Sequence, residues 1–259
     1  MVEAILREFW EKNRTDAWKS IQWDANDISL ESGLPWLELK FPGPIPYSEM
    51  LAEAKGVRHL MVAHRKDDFG NGYGHHGWKS ICFHGLSALQ TEDCSMYGMT
   101  NEEADRRYNW TEISPLCPVT VEFFKNRFCY ETYDRVRFLL LEAGGYILPH
   151  HDNEKRHLGP VNMALNNPAN CEFKMLDFGV IPFQSQTTFQ LDVSNVHAVW
   201  NRSEEDRYHI IVHGRPDCTT WGPIYRNSFQ LMRTLYQYKN KFGYKTILDF
   251  VRRAWRTQP

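Results

Sequence analysis

Two histidines and an aspartate stand at spacings that suit a first-row metal ion. The first pair lies in Pro149-His150-His151-Asp152 and the third residue opens His197-Ala198-Val199-Trp200-Asn201. Side chains of an extended segment alternate between faces, so His150 and Asp152 project to one side and His151 to the other. A His-x-Asp tripeptide is weak by itself in a chain with 11 histidines. Arg207 adds a second requirement. It follows His197 by ten residues across the polar turn Ser203-Glu204-Glu205-Asp206, which predicts a place on the adjacent antiparallel strand. At that depth a guanidinium fork suits two-point binding of a carboxylate. Two imidazoles and one carboxylate on one face leave three octahedral positions open, the arrangement of iron(II) sites that use a 2-oxo acid and dioxygen.

The elements that must position these groups are mostly strands. From Arg135 onward, short apolar runs cover 135–141, 146–150, 159–165, 171–178, 187–192, 197–200 and 207–213. Turn residues separate them, at Gly144-Gly145, Asn166-Asn167-Pro168 and Ser203 to Asp206. So many short strands at regular spacing predict a sandwich or barrel. On the last of them Arg207, His209, Ile211 and His213 share a face; His209 either lines the pocket or makes a structural hydrogen bond. Asp192 and Ser194 fix the turn before His197 through bonds to neighbouring backbone.

Upstream, residues 2–21 have helical periodicity, 32–44 read as a Pro/Gly-broken loop with at most one short strand, and 46–56 as a short helix. Strands are predicted at 57–64 and 78–84. Between them the stretch from Arg65 to Gly77 carries four glycines, the composition of a mobile loop beside a site. His64, Arg65, Trp78 and Lys79 flank it and are candidates for a substrate wall. His75 and His76 with His64 lack the carboxylate or Cys spacing of a second metal site. Helices are predicted at 101–108 and 118–128, and again from 217 to the end.

Composition narrows the class. The 259 residues include 42% hydrophobic and 24% charged residues, ordinary for a globular protein with a sizeable core. A formal net charge of -2 supplies no field for nucleic acid or an anionic membrane, so neither is an expected partner. Six cysteines without a CxxC pair fit a reducing compartment, and no run reaches membrane-spanning length, so a cytoplasmic protein is expected. Nothing marks an interdomain linker. We therefore expect a single domain over 1–259, with N-terminal helices and extra strands to 130, a catalytic core at 131–216 and C-terminal helices at 217–259.

Residues 135–216 resemble the aspartyl/asparaginyl β-hydroxylase family of iron(II)- and 2-oxoglutarate-dependent oxygenases. The matching pieces, in order, are an apolar strand into Gly144, Pro149-His150-x-Asp152, Arg156-His157-Leu158-Gly159, Asp192-x-Ser194-x-x-His197-x-x-Trp200-Asn201, Arg207 and Arg215-Pro216. The resemblance implies a mainly β, double-stranded β-helix (jelly-roll, cupin-like) core with flanking N- and C-terminal helices. It implies that His150, Asp152 and His197 hold the iron, that Arg207 pairs with the distal carboxylate of 2-oxoglutarate, and that His157 lies near the co-substrate. Two departures stand out. Asp152 supplies a carboxylate that some animal members lack, and Leu139 stands where those members carry a co-substrate-binding serine. A carboxylate at position 152 favours hydroxylation over halogenation, which needs a small residue there.

The expected activity is hydroxylation of an amino-acid side chain of Asp/Asn or Pro type, free or in a peptide or protein, with Fe(II), 2-oxoglutarate and O2, releasing succinate and CO2. A small-molecule oxygenase with another outcome would share the triad. A non-catalytic cupin-type barrel would instead close the coordination sphere of its metal, and an interaction module would not need the triad at all. Neither target residue nor oligomeric state is legible.

Overall fold

The computed structural model describes residues 35–65, 74–152, 158–176, 178–217, 219–225 and 227–228. The predicted N-terminal helix over 2–21, most of the glycine-rich loop, His157, and most of the C-terminal helical region lie outside the described residues.

Eleven strands of the described residues join one antiparallel sheet that curls on itself. They are β1 (Trp36–Glu38), β2 (Val62–Ala63), β3 (His75–Gly85), β4 (Asn109–Trp110), β5 (Tyr130–His150), β6 (Val161–Ala164), β7 (Cys171–Met175), β8 (Gly179–Val180), β9 (Thr187–Leu191), β10 (His197–Asn201) and β11 (Arg207–Pro216). Along the main path the order is β1-β9-β6-β11-β5-β10-β7-β8, with β3 also paired to β5. β5 makes the curl. Its first half pairs with β11 and its last residues pair with β10, so one strand serves two sheets that face each other. This is a double-stranded β-helix, and the strand content predicted from the apolar runs is what builds it.

The sequence reading split β5 in two at Gly144-Gly145, and here the structure differs. The strand continues through both glycines as a bend. Gly144 takes φ +73°, which a side chain would strain, and a Cβ on Gly145 would stand 2.8 Å from the Glu142 carbonyl oxygen and 2.9 Å from that of His76. The pair therefore turns a continuous strand instead of ending it, which carries His150 onto the second sheet.

The strand predicted at 57–64 is another correction. It is a 3-10 turn at Arg58–Leu60 followed by the two-residue β2. The helix α1 (Tyr47–Gly56) matches its prediction, whereas α2 (Asn101–Asp105) and α3 (Pro118–Asn126) stop earlier than predicted. α2 starts on a capping box in which Thr100 and Glu103 satisfy each other's backbone amides. α3 begins with Pro118 and buries Val121, Phe123 and Phe124. The Phe124 ring meets Phe83 and Phe128 at centroid distances of 5.7 and 4.8 Å, and Phe83 in turn meets Phe138 at 5.0 Å, the aromatic mass that backs the sheet.

Asn201 ties the β10–β11 connection to β5. It is 1% exposed, and its amide nitrogen donates to the carbonyls of Leu141, Glu142 and Glu205 at 2.7 to 3.1 Å. Its oxygen accepts from the Ser203 hydroxyl at 2.6 Å. Replacement by leucine would leave buried carbonyls without a donor, and we expect a loss of ~3 kcal/mol. Urea denaturation measures this directly; an unchanged midpoint would assign the network no structural weight.

Candidate active site

His150 and His197 are direct register partners on β5 and β10, which sets their rings 4.3 Å apart between centroids. Asp152 lies just past the end of β5, where its backbone amide donates to the Val193 carbonyl at 3.0 Å. The carboxylate oxygens then stand 3.4 Å from His150 Nε2 and 3.9 Å from His197 Nε2. All three ligand atoms lie within 4.8 Å of one another, and among the described residues this is the grouping of His, Cys, Asp and Glu that could hold a metal ion.

The donor set is prepared for a cation. Nδ1 of His150 bonds the Leu148 carbonyl at 2.8 Å and Nδ1 of His197 bonds the Asn195 carbonyl at 2.9 Å. A carbonyl only accepts, so each Nδ1 carries the proton and each Nε2 presents a lone pair toward Asp152. Burial, helped by the proximity of His150 and opposed by the Asp152 charge, holds His197 below its ordinary value and hence neutral. Burial works to raise the Asp152 carboxyl, but the adjacent His150 and His197 and the nearby Arg65 outweigh it, so the group is held below the ordinary carboxylate value. Bonds of about 2.1 Å put neighbouring ligands of one ion about 3 to 3.5 Å apart, so the 3.4 and 3.9 Å found need only a small inward shift of side chains. These residues fit iron(II).

The turn before His197 is built as its residues suggested. The Ser194 hydroxyl donates to Asp192 Oδ1 at 2.6 Å and the Ser194 amide to the same oxygen at 3.2 Å. Sequence reading had no signal for Phe173 on β7, whose ring stacks on His197 at 5.2 Å and 8° and fixes the imidazole plane.

Arg207 reaches the site by another route than predicted. Its strand does not pair with β10; β5 lies between them. Arg207 is opposite Leu141, and His209 is opposite Leu139. The guanidinium is buried over the Phe183 ring, donates to Asn167 Oδ1 at 3.4 Å and to His209 Nδ1 at 3.1 Å, and has no carboxylate partner among the described residues. Burial, then the Arg207 charge, pushes His209 well down, so this imidazole is neutral and accepts at Nδ1. Its Nε2 then carries the proton, and it is buried without a partner.

These groups line one cavity of about 840 Å³, with His150, Asp152 and His197, Arg207 and His209, and an apolar wall including Leu139, Leu141 and Val199. Of the proposed substrate wall, His64, Arg65 and Trp78 line it. Lys79 pairs instead with Glu142 at 2.7 Å. His64 is occupied with Ser80 Oγ at 2.8 Å and packs tilted against Trp78, and His75 packs edge-on against the same indole.

Acid should unfold this interior. His64, His84, His197, His209 and His213 are all held below the ordinary value, burial being the first cause in each, and His84 is pushed down to about 4. A group whose folded value lies below its unfolded value of about 6.5 costs nothing above that pH. As the pH falls, the unfolded chain binds the proton first and stability is lost. His84 alone accounts for ~3 kcal/mol between about pH 6.5 and 4. The urea midpoint of the metal-free protein is expected to drop from pH 7 to pH 5; a flat profile would mean that these imidazoles titrate as in free peptide.

A curled antiparallel sheet that brings two histidines and an aspartate into one cavity with a buried arginine is the arrangement of a non-haem iron oxygenase. The family profile described as aspartyl/asparaginyl beta-hydroxylase matches residues 47–216, and the chain belongs to that family. It is an iron(II)- and 2-oxoglutarate-dependent dioxygenase, a hydroxylase. No curated protein matches the sequence. Among solved structures, a prolyl-4-hydroxylase from Pseudomonas putida is similar at 14% identity and TM-score 0.40, over 73% of this chain and 97% of its own. A prolyl hydroxylase from Trichoplax adhaerens is similar at 12% identity and TM-score 0.42, over 80% and 96%. Scores this low leave the assignment resting on the family match and the site. Among the described residues no helix is long and apolar enough to cross a membrane.

Proposed function

We propose that His150, Asp152 and His197 hold iron(II), that Arg207 and His209 clamp the distal carboxylate of 2-oxoglutarate, and that the product is a hydroxylated amino-acid side chain. The observation that carries this is the convergence of three ligand atoms within 4.8 Å, with both Nε2 lone pairs turned to one carboxylate. Iron with 2-oxoglutarate supplies the oxidation, in which one atom of O2 enters succinate, the other enters a substrate C–H bond and CO2 leaves. The chain supplies position and charge. Arg207, buried without an acid, offers a fork for a diacid's far end. His209 Nε2–H offers a second donor beside Leu139, the position where related chains carry a hydroxyl. Leu139, Leu141 and Val199 line the cavity and keep water from the reacting carbon.

The finer assignments belong to the same reading. Residues 1–259 are taken as a single oxygenase domain, supported by a hydrophobic cluster that runs from Trp36 to Tyr225. A cytoplasmic setting is supported by free thiols at Cys82, Cys94, Cys117, Cys129 and Cys171. The test is succinate release from 2-oxoglutarate by the iron-loaded protein. Absence of turnover together with absence of 2-oxoglutarate binding would remove the proposal.

A further inference from the structure

The cavity holds a second buried guanidinium, that of Arg137, which the clamp at Arg207 does not use. On the inward face shared by β5 and β11, the opposed pairs run Leu141–Arg207, Leu139–His209, Arg137–Ile211 and Arg135–His213. Arg137 thus stands level with Ile211, four residues along the sheet from Arg207, a backbone separation of about 13 Å. It is 7% exposed and lines the same cavity. One nitrogen donates to the Thr91 carbonyl and another meets His213 Nε2 at 3.4 Å, while Nε is buried without a partner.

The acids nearby are otherwise engaged. Asp93 pairs with Arg135 at 3.3 Å and Glu92 with Arg65 at 3.6 Å. Asp134 also lines the cavity but forms no ion pair with Arg137. His213 is held neutral by burial and by Arg135 and Arg137, so it adds no charge and accepts from Arg137. Burial, then the Arg135 charge, brings the Arg137 guanidinium down to about 10, with Asp152 working weakly the other way; burial likewise lowers Arg207. The cavity therefore holds two buried guanidinium groups that form no ion pair among the described residues. A guanidinium this buried is costly unless an anion joins it.

We propose that Arg137, framed by Arg135 and His213, binds the α-carboxylate of the substrate, and that the substrate is a free amino acid rather than a residue within a peptide. This rests on the hydroxylase reading of the triad. Two guanidinium groups in one cavity of about 840 Å³ suit two small acids side by side, the size of 2-oxoglutarate and a free amino acid.

The experiment measures succinate release by the iron- and 2-oxoglutarate-supplied protein with each of the twenty common L-amino acids, with the amide of any that stimulates, and with capped peptides holding the same residue internally. At least one free acid is expected to raise release above the substrate-free level, with its amide and its peptide at least tenfold weaker in kcat/KM. In Arg137→Met the acid should fall to the level of the amide, mostly through KM, and Arg137→Lys should recover part of the difference. The proposal is overturned if no free amino acid stimulates, if amide or peptide matches the acid, or if Arg137→Met weakens 2-oxoglutarate more than the amino acid. A wild-type protein that neither binds nor consumes 2-oxoglutarate would instead sink the underlying hydroxylase reading, so the two failures are distinguishable.

Discussion

Asp152→Ala is expected to lower substrate-dependent succinate release on the order of a thousandfold, with a matching loss of bound iron. The magnitude follows from what the carboxylate does. It is the one anionic group in a set of three ligand atoms, and removing it leaves two neutral imidazoles for a dication. Metal assistance is worth several kcal/mol to a reaction of this kind, and each 1.36 kcal/mol is tenfold in rate. His150→Ala and His197→Ala should behave alike, because each Nε2 is aimed by a backbone carbonyl behind it. Metal content after dialysis separates loss of the ion from loss of fold. A variant that keeps its iron and at least a tenth of its activity would show that Asp152 is outside the coordination sphere.

Arg207→Met should raise the KM for 2-oxoglutarate by roughly a hundredfold or more, since truncating one partner of a buried charge pair costs about 2–5 kcal/mol. The guanidinium has no acid beside it in the described structure, so its removal strands no protein carboxylate. Stability should therefore change little or rise, while co-substrate affinity falls. His209→Phe should follow in the same direction with a smaller effect, because one neutral donor is worth less than a charged fork. Titration of 2-oxoglutarate by fluorescence or calorimetry decides it; an unaltered affinity in Arg207→Met would move the co-substrate clamp elsewhere in the cavity.

The strand-rich core was legible because short apolar runs are bounded by turn residues. Runs such as Val136 to Leu141 and Arg207 to His213 are buried at nearly every position, as strands covered on both faces are, and turn residues mark most of their ends. Gly144-Gly145 misled for a physical reason. Two glycines mark a change of direction, but whether a chain turns back or bends and continues depends on what packs beside it, here the carbonyls of Glu142 and His76. The segment at 57–64 misled because apolar content alone does not distinguish a strand from a 3-10 turn held against a core.

The candidate metal ligands were read from residue types and local spacing: a His-x-Asp on an extended segment, a later His in a strand, and an Arg ten residues beyond it. Those features are local and depend on side-chain alternation and ligand chemistry, which a chain carries wherever it folds. Which groups meet across the cavity is not local. Phe173 on His197, His209 beside Arg207 and Arg137 in the same cavity are joined only because one long strand, β5, is shared by β11 and β10. Strand order and register are settled by packing between distant segments, so the sequence by itself determined which residues could ligate a metal, and the tertiary structure decided which other side chains share their cavity.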